Sequence, residues 1–293
     1  MTNKVLVTGA SGQLGQSFAL LATVCKDIDF TLVTRKELDI IDLDTVHKYI
    51  NKADYNIVIN CAAYTAVDKA ESDFDMANQV NHLAVKQLAD ICKVKKIHLI
   101  HFSTDYIFNG KNFKPYIEAD KAGPINIYGK TKQKGEDVLN EINPKGFLIR
   151  TSWVYSEYGN NFVRSIIRHA RERDILNVVY DQVGSPTYAN DLAKAVISII
   201  RHPLFENMYA QENTYHYANE GVASWFDLTK EILELKNIEC KVNPIETKDY
   251  STAAKRPYYS LLNKTKLKET FGLKIPFWKD SLKQCLSKIQ CVD

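Results

Sequence analysis

A phenol and an ammonium stand four residues apart in Tyr128-Gly129-Lys130-Thr131-Lys132. On a helix, positions i and i+4 share a face, so both side chains would reach into the same space. The residues that follow predict such a helix, with Gln133, Glu136, Asp137 and Asn140 on a polar side and Val138, Leu139 and Ile142 on an apolar one. A free phenol has a pKa of about 10, and a cation held beside it favours the phenolate and eases proton exchange with a substrate oxygen. The pair therefore reads as a general acid/base. The same spacing also arises by chance on solvated surfaces, so its meaning depends on the elements that position it.

Those elements begin with a short apolar run, Lys4-Val5-Leu6-Val7-Thr8, which ends in Gly9-Ala10-Ser11-Gly12-Gln13-Leu14-Gly15 and is followed by a helical pattern over 16–25. Strand, glycine turn and helix in that order form a variant of the dinucleotide fingerprint, in which the backbone can approach a pyrophosphate at a helix N-terminus. Gly9, Ser11, Gly12, Gln13, Leu14 and Gly15 are thus candidate cofactor contacts. A second strand over 30–33 is followed by Arg35 and Lys36, where an NAD-binding chain commonly has an acid; these cations suit a 2′-phosphate. Asp39 and Ile40 fall where such folds hold the adenine edge, and Asp42 is a candidate N-cap for a helix over 44–51.

A third strand over 56–60, apolar at its centre as a strand buried on both faces should be, runs into Cys61-Ala62-Ala63-Tyr64-Thr65. The small side chains there allow a cofactor close approach, which nominates Ala62, Ala63 and Tyr64. A long helix is predicted over 74–94, with Ala77, Val80, Leu83, Ala84, Leu88 and Ile91 on one face. The fourth strand, 97–102, leads to Ser103-Thr104-Asp105-Tyr106, and hydroxyls at the carboxyl end of a parallel strand lie where open α/β sheets bind ligands. Thr104 is a candidate donor to a substrate carbonyl. A long loop over 109–127 delivers Tyr128, and a fifth strand over 146–151 precedes Ser152-Trp153-Val154-Tyr155.

Beyond it come a helix opened by Gly159-Asn160-Asn161-Phe162, a strand over 177–180, a loop over 181–187 and an apolar helix over 188–201. From about Asn213 the rhythm turns irregular, with short strands at 215–217 and 241–245 and helices over 225–235, near Thr265 and near Phe277. Arg256 stands out in that tail because a guanidinium pairs bidentately with phosphate. The expected fold is α/β: a Rossmann-type doubly wound parallel sheet with a smaller C-terminal substrate-binding lobe. Residues 1–153 are expected to form the nucleotide-binding domain, to which segments near 175–220 return, and 154–293 mainly the lobe.

Composition agrees with a globular protein, since 45% of the 293 residues are hydrophobic and 25% charged. A net charge of +3 with dispersed cations speaks against nucleic-acid or membrane partners. No apolar stretch approaches the roughly 18 residues of a membrane span, and the start lacks the apolar region of a signal peptide, so a cytoplasmic location is expected. Cys25, Cys61, Cys92, Cys240, Cys285 and Cys291 form no metal-type spacing and are read as reduced and structural; no metal ligands are nominated.

The glycine turn, the Ser/Thr cluster and Tyr128 with Lys132 resemble the extended short-chain dehydrogenase/reductases. Within them, Ala62 to Glu71, Ser103 to Phe108, Tyr128 to Lys132, Arg150 to Tyr155, Asp181 to Thr187 and Lys255-Arg256-Pro257 resemble the dTDP-4-dehydrorhamnose reductase family. The motifs follow the family's order along nearly the whole chain. Cys61 and Ser185 stand where Ala is more usual, and the tail after Pro257 matches loosely. The resemblance implies reduction of the C4 keto group of a dTDP-linked 4-keto sugar by NADPH, with NADH as a second option. It implies that Tyr128 gives the proton, that Lys132 holds the nicotinamide ribose and lowers the phenol's pKa, and that Thr104 polarises the carbonyl. It further implies that Asp105, Tyr106 and Trp153 line the sugar side, and that Val67 and Arg256 lie toward the nucleotide or its diphosphate. It also leaves room for a homodimer. Two rivals stand beside it: a catalytically silent regulatory relative, which intact Tyr128, Lys132 and Thr104 oppose, and an epimerase or dehydratase. A dehydratase is expected to carry an acidic pair next to the hydroxyl, and Thr104-Asp105 offers one acid.

Overall fold

The computed structural model describes residues 3–289; Cys291 lies outside the described residues. β1 (Asn3–Thr8) leads through the glycine turn into α1 (Gln13–Ala22), followed by β2 (Ile28–Leu32), α2 (Leu43–Ile50) and β3 (Ile57–Asn60). Two short helices, α3 (Val67–Ala70) and α4 (Phe74–Asn78), a π-helical turn (Gln79–Leu83) and α5 (Ala84–Lys95) precede β4 (His98–Thr104). After the long loop come α6 (Ile127–Ile142), β5 (Gly146–Thr151), β6 (Val154–Tyr155), α7 (Phe162–Glu172), β7 (Ile175–Val179), β8 (Val183–Gly184), β9 (Thr187–Tyr188), α8 (Ala189–Ile200) and β10 (Thr214–Tyr217). The chain continues with β11 (Ala223–Ser224), α9 (Trp225–Lys236), β12 (Lys241–Ile245), α10 (Thr265–Phe271) and α11 (Trp278–Lys288).

Six strands form one parallel sheet in the order β10-β5-β4-β3-β1-β2. Every residue of β3, β4 and β5 is buried, because helices cover both faces. One face packs against α1 and α8 through Phe18, Leu21, Leu192 and Val196; the other packs against α2, α5 and α6 through Val46, Leu88, Val138 and Leu139. Chain order reverses between β1 and β3, the switch point at which open α/β sheets leave a crevice beyond their carboxyl ends. A third cluster gathers α7, α9, α11 and the β7–β12 pair around Val163, Ile166, Leu228, Ile232 and Leu282.

Several local expectations shift in instructive ways. Thr214–Tyr217, irregular in rhythm but within the segments near 175–220 expected to return to the nucleotide-binding domain, pairs with β5 in the main sheet. The helix predicted over 74–94 is interrupted by the π-helical turn, whose wider winding buries the polar Asn81 at 1% exposure. On α6, Asn126 caps the N-terminus by accepting from the Gly129 N–H at 2.8 Å. Glu136, on the polar side of the helix, is buried and takes three hydrogen bonds from Arg150 of β5 at 2.8–3.2 Å.

That ion pair cross-ties α6 to the sheet, and Arg150 also donates to the Glu118 carbonyl at 3.0 Å. Removing one partner leaves an uncompensated buried charge. Glu136→Leu is expected to lower the unfolding free energy by about 3–5 kcal/mol in urea titrations. A loss below about 1 kcal/mol, the scale of an exposed pair, would show that Arg150 escapes to solvent.

Candidate active site

A cleft of about 1080 Å³ opens beyond the carboxyl ends of β1, β3, β4 and β5 and continues between the sheet and the α7/α9 layer. Gly12, Asn60, Ala62, Ser103, Thr104, Tyr128, Lys132, Trp153 and Arg256 are among its walls. Four groups at its floor can exchange protons. Tyr128 sits in the first turn of α6, with Lys132 one turn on, so the helix brings together the two groups that the spacing predicts. Thr104 ends β4 beside the Tyr128 phenol, whose proton it makes easier to lose, and its hydroxyl donates to Asp105 Oδ1 at 3.0 Å. The Thr104 hydroxyl also accepts the Tyr106 N–H at 3.1 Å, which fixes its rotamer.

Burial sets the protonation states of this group. It pushes the Tyr128 phenol up to about 12, with the Thr104 hydrogen bond pulling back and the Asp105 charge adding to the rise. Lys132, expected to lower the phenol, is engaged on β4: Nζ donates to the Phe102 carbonyl at 2.6 Å and lies 3.4 Å from His101 Nε2. Burial draws the ammonium itself down to about 8, opposed by the charge of Glu136. Burial also lifts Asp105 to about 7, with the neighbouring Ser260 and Thr104 hydroxyls pulling back toward its ionised form. A phenol kept protonated is an acid by default.

The glycine turn lies beside this group. Gly9 has φ +66°, and a Cβ there would come within 2.7 Å of the Ala62 N, so β1 and β3 approach as closely as glycine allows. Ser11 and Gly12 are exposed at the turn, Leu14 is half-buried, and Gly15 is buried under it. Gln13 bridges to the second layer, accepting from Ser156 Oγ at 3.0 Å and from Asn161 Nδ2 at 2.9 Å. Ala62 and Ala63 line the cleft mouth, while Tyr64 lies behind them with its hydroxyl on Asp73 at 3.1 Å. At the end of β2, Arg35 is exposed, yet an acid does stand near it: Asp39 takes its Nε at 3.0 Å. Ile40 is buried in the core. The cleft fits a reduced nicotinamide dinucleotide, because the turn admits a pyrophosphate at the α1 N-terminus and Ser103 Oγ and Thr151 Oγ1 are buried without a protein partner.

On the other side, Val67 starts α3 and Tyr106 sets its ring edge-on to Tyr128 at 5.9 Å. Trp153 adopts φ +49°, a strained conformation for a non-glycine residue. Its indole stacks on Trp225 with centroids 3.5 Å apart and an interplanar angle of 6°. Trp225 is held in turn by Nε1 donating to Gln182 Oε1 at 3.1 Å. Arg256 does face the cleft, but its guanidinium is bidentate on Asp68 at 2.6 and 3.0 Å, which holds that carboxyl below the usual range. Two contributors escaped the sequence reading. Asn81 clamps both backbone groups of Tyr64 at 2.9–3.0 Å and donates to Thr131 Oγ1, and an Asn inside an apolar helical stripe was its signal. Trp225 gave no signal beyond its size. Among the described residues no cluster suited to a metal ion occurs, and no helix is long and apolar enough to cross a membrane.

The doubly wound sheet, the glycine turn and the Thr104–Tyr128–Lys132 group define an oxidoreductase of the short-chain dehydrogenase/reductase type. Residues 3–291 match the family model described as "RmlD substrate binding domain", and the chain belongs to that family. It is 39% identical over 287 residues to a dTDP-4-dehydrorhamnose reductase of Aggregatibacter actinomycetemcomitans, covering 96% of this chain and 97% of that one. It is 34% identical to a dTDP-4-keto-6-deoxy-D-glucose reductase of Streptomyces niveus, covering 97% and 96%. A crystal structure of dTDP-4-dehydrorhamnose reductase from Bacillus anthracis in complex with NADP superposes with a TM-score of 0.92 at 37% identity, covering 98% and 100%.

Asp105 gives this site a pH signature. Its folded pKa, about 7, lies above the ordinary carboxylate value of 3.8, so the folded state holds a proton that the unfolded chain has lost between those values. Stability therefore falls as pH rises from about 4 to 7. Asp105→Asn removes that dependence, and its stability relative to wild type is expected to improve by a few kcal/mol between pH 4 and pH 8, read by chemical denaturation at each pH. A constant difference would place Asp105 in a solvated setting.

Proposed function

We propose that this chain reduces the C4 keto group of dTDP-4-dehydro-6-deoxy-L-mannose to give dTDP-L-rhamnose, in the synthesis of nucleotide sugars for polysaccharide. The observation that carries the reading is the Tyr128 phenol, kept protonated by burial beside Thr104 and Lys132 at the cleft floor. NADPH bound along the glycine turn supplies the hydride. Gly9, Ser11, Gly12, Gln13 and Leu14 receive its pyrophosphate side with Gly15 packed beneath them, Arg35 and Asp39 border its adenosine half with Ile40 buried behind, and Ala62 and Ala63 border its middle with Tyr64 supporting them from behind. Lys132 turns from the Phe102 carbonyl toward the nicotinamide ribose.

In the reaction, Thr104 turns its hydroxyl hydrogen from Asp105 to the C4 carbonyl oxygen and Tyr128 passes its proton to that oxygen as negative charge develops. Asp105, Tyr106 and Trp153 border the sugar, and Val67 and Arg256 lie on the diphosphate side, where a phosphate would compete with Asp68 for the guanidinium. In this reading residues 1–153 hold the cofactor and the segments from 154 onward mainly shape the sugar-nucleotide side, with β10 returning to the sheet. A cytoplasmic setting belongs to it as well, supported by five free cysteines among the described residues, which suit a reducing compartment. A homodimer belongs to it on the family resemblance alone.

Tyr128→Phe keeps the ring and removes the acid. Turnover at saturating substrate is expected to fall by roughly 10²–10⁴-fold with NADPH affinity retained. Turnover within twofold of wild type would remove Tyr128 from the chemistry.

A further inference from the structure

A chain of buried polar side chains runs beneath the cleft from β1 to α6 and ends on Lys132. Thr8 Oγ1 donates to Asn60 Oδ1 at 2.7 Å, Asn60 Nδ2 meets His101 Nδ1 at 3.1 Å, and His101 Nε2 lies 3.4 Å from Lys132 Nζ. Thr8, Asn60, His101 and Lys132 are each no more than 2% exposed, so water does not compete for these contacts.

The orientation of the Asn60 carboxamide is fixed by a backbone group. The Ala62 N–H, which can only donate, points at Asn60 Oδ1 at 3.2 Å, so that atom is the oxygen. The amide nitrogen then faces His101 and donates to Nδ1. A neutral imidazole that accepts at Nδ1 carries its hydrogen on Nε2, and burial keeps His101 neutral by lowering its pKa well below the ordinary value, with the Lys132 charge adding to the effect. Nε2–H therefore points at Lys132 Nζ. An ammonium has only donors to offer there, whereas a neutral amine has a lone pair that can accept.

We propose that His101, its tautomer set by Asn60, is a positioning residue that holds Lys132 toward its neutral amine until a ligand in the cleft gives the ammonium new acceptors. The other ionisable groups around Lys132 do not replace this effect. Glu136, one turn along α6, favours the ammonium but is engaged by Arg150 of β5; Tyr128, one turn before, is a neutral phenol; Asp105 acts on Tyr128 from the end of β4. The Phe102 carbonyl accepts one hydrogen from either form of Lys132. The inference rests on Lys132 belonging to the site, and it predicts that occupation of the cleft is accompanied by uptake of one proton from solvent at alkaline pH.

The test is a titration of lysine isotopically labelled at Cε, followed by NMR in the full chain without cofactor or substrate, with the Lys132 signal identified as the one lost in Lys132→Met. Its outcome stands apart from whether the chain reduces a dTDP-linked sugar. Lys132 is expected to lose its proton well before the exposed lysines. In His101→Gln, whose carboxamide oxygen can turn to accept from Nζ, the midpoint is expected to rise by about one pH unit. Equal midpoints in the two proteins would mean that burial alone sets Lys132, and a wild-type Lys132 that titrates with the exposed lysines would overturn the proposal outright. Should His101→Gln not fold, nitrogen NMR of the wild-type histidine rings decides: a neutral ring protonated on Nε2 supports the proposal, and one protonated on Nδ1 contradicts it.

Discussion

The site depends on the register of one strand. β4 is buried along all seven residues and hydrogen-bonded on both sides, to β3 and β5. From it come His101, the Phe102 carbonyl that holds Lys132, the Ser103 hydroxyl, Thr104, and Asp105 just past its end. A slip of one residue would exchange the two faces of the strand and carry Thr104 away from Tyr128. The Ile59–Ile100 and Ile100–Phe147 registers, packed in apolar surroundings, prevent that slip. Precision in the polar group is thus a consequence of the apolar core around the strand beneath it.

Withdrawal from water then acts on each group according to its charge. It disfavours the charged form in every case, so the phenol and the carboxyl rise while the ammonium falls. The result suits reduction, in which an acid must hold its proton until charge develops on the substrate oxygen. Cationic help for the phenol would have to come with a bound ligand, since Lys132 is turned to the Phe102 carbonyl.

Much of this was legible in the sequence because it rests on local rules. The glycine turn, the apolar strands and the Tyr128–Lys132 spacing each predict their own geometry, and Asp42 caps α2 as its position suggests, accepting from Asp44 and Thr45. Partnerships across the fold were not legible. Nothing near Glu136 announces Arg150, nothing near Arg256 announces Asp68, and the sheet partner of Thr214–Tyr217 lies more than sixty residues away. The Arg35–Asp39 pair is an exception, because its i, i+4 spacing is a local signal. The strained Trp153 depends on a stack with Trp225 that no local pattern encodes.

Whether the cleft performs this chemistry or only binds the same molecules is decided by one assay. Purified protein is given NADPH and dTDP-4-keto-6-deoxy-L-lyxo-hexose, with loss of reduced nicotinamide and the configuration of the product at C4 followed together. Oxidation of one NADPH for each dTDP-L-rhamnose formed is the expected result. Tight binding of both molecules without oxidation would identify a silent regulatory relative, and turnover only with the D-gluco-configured keto sugar would assign the chain to the chemistry named for the Streptomyces niveus relative.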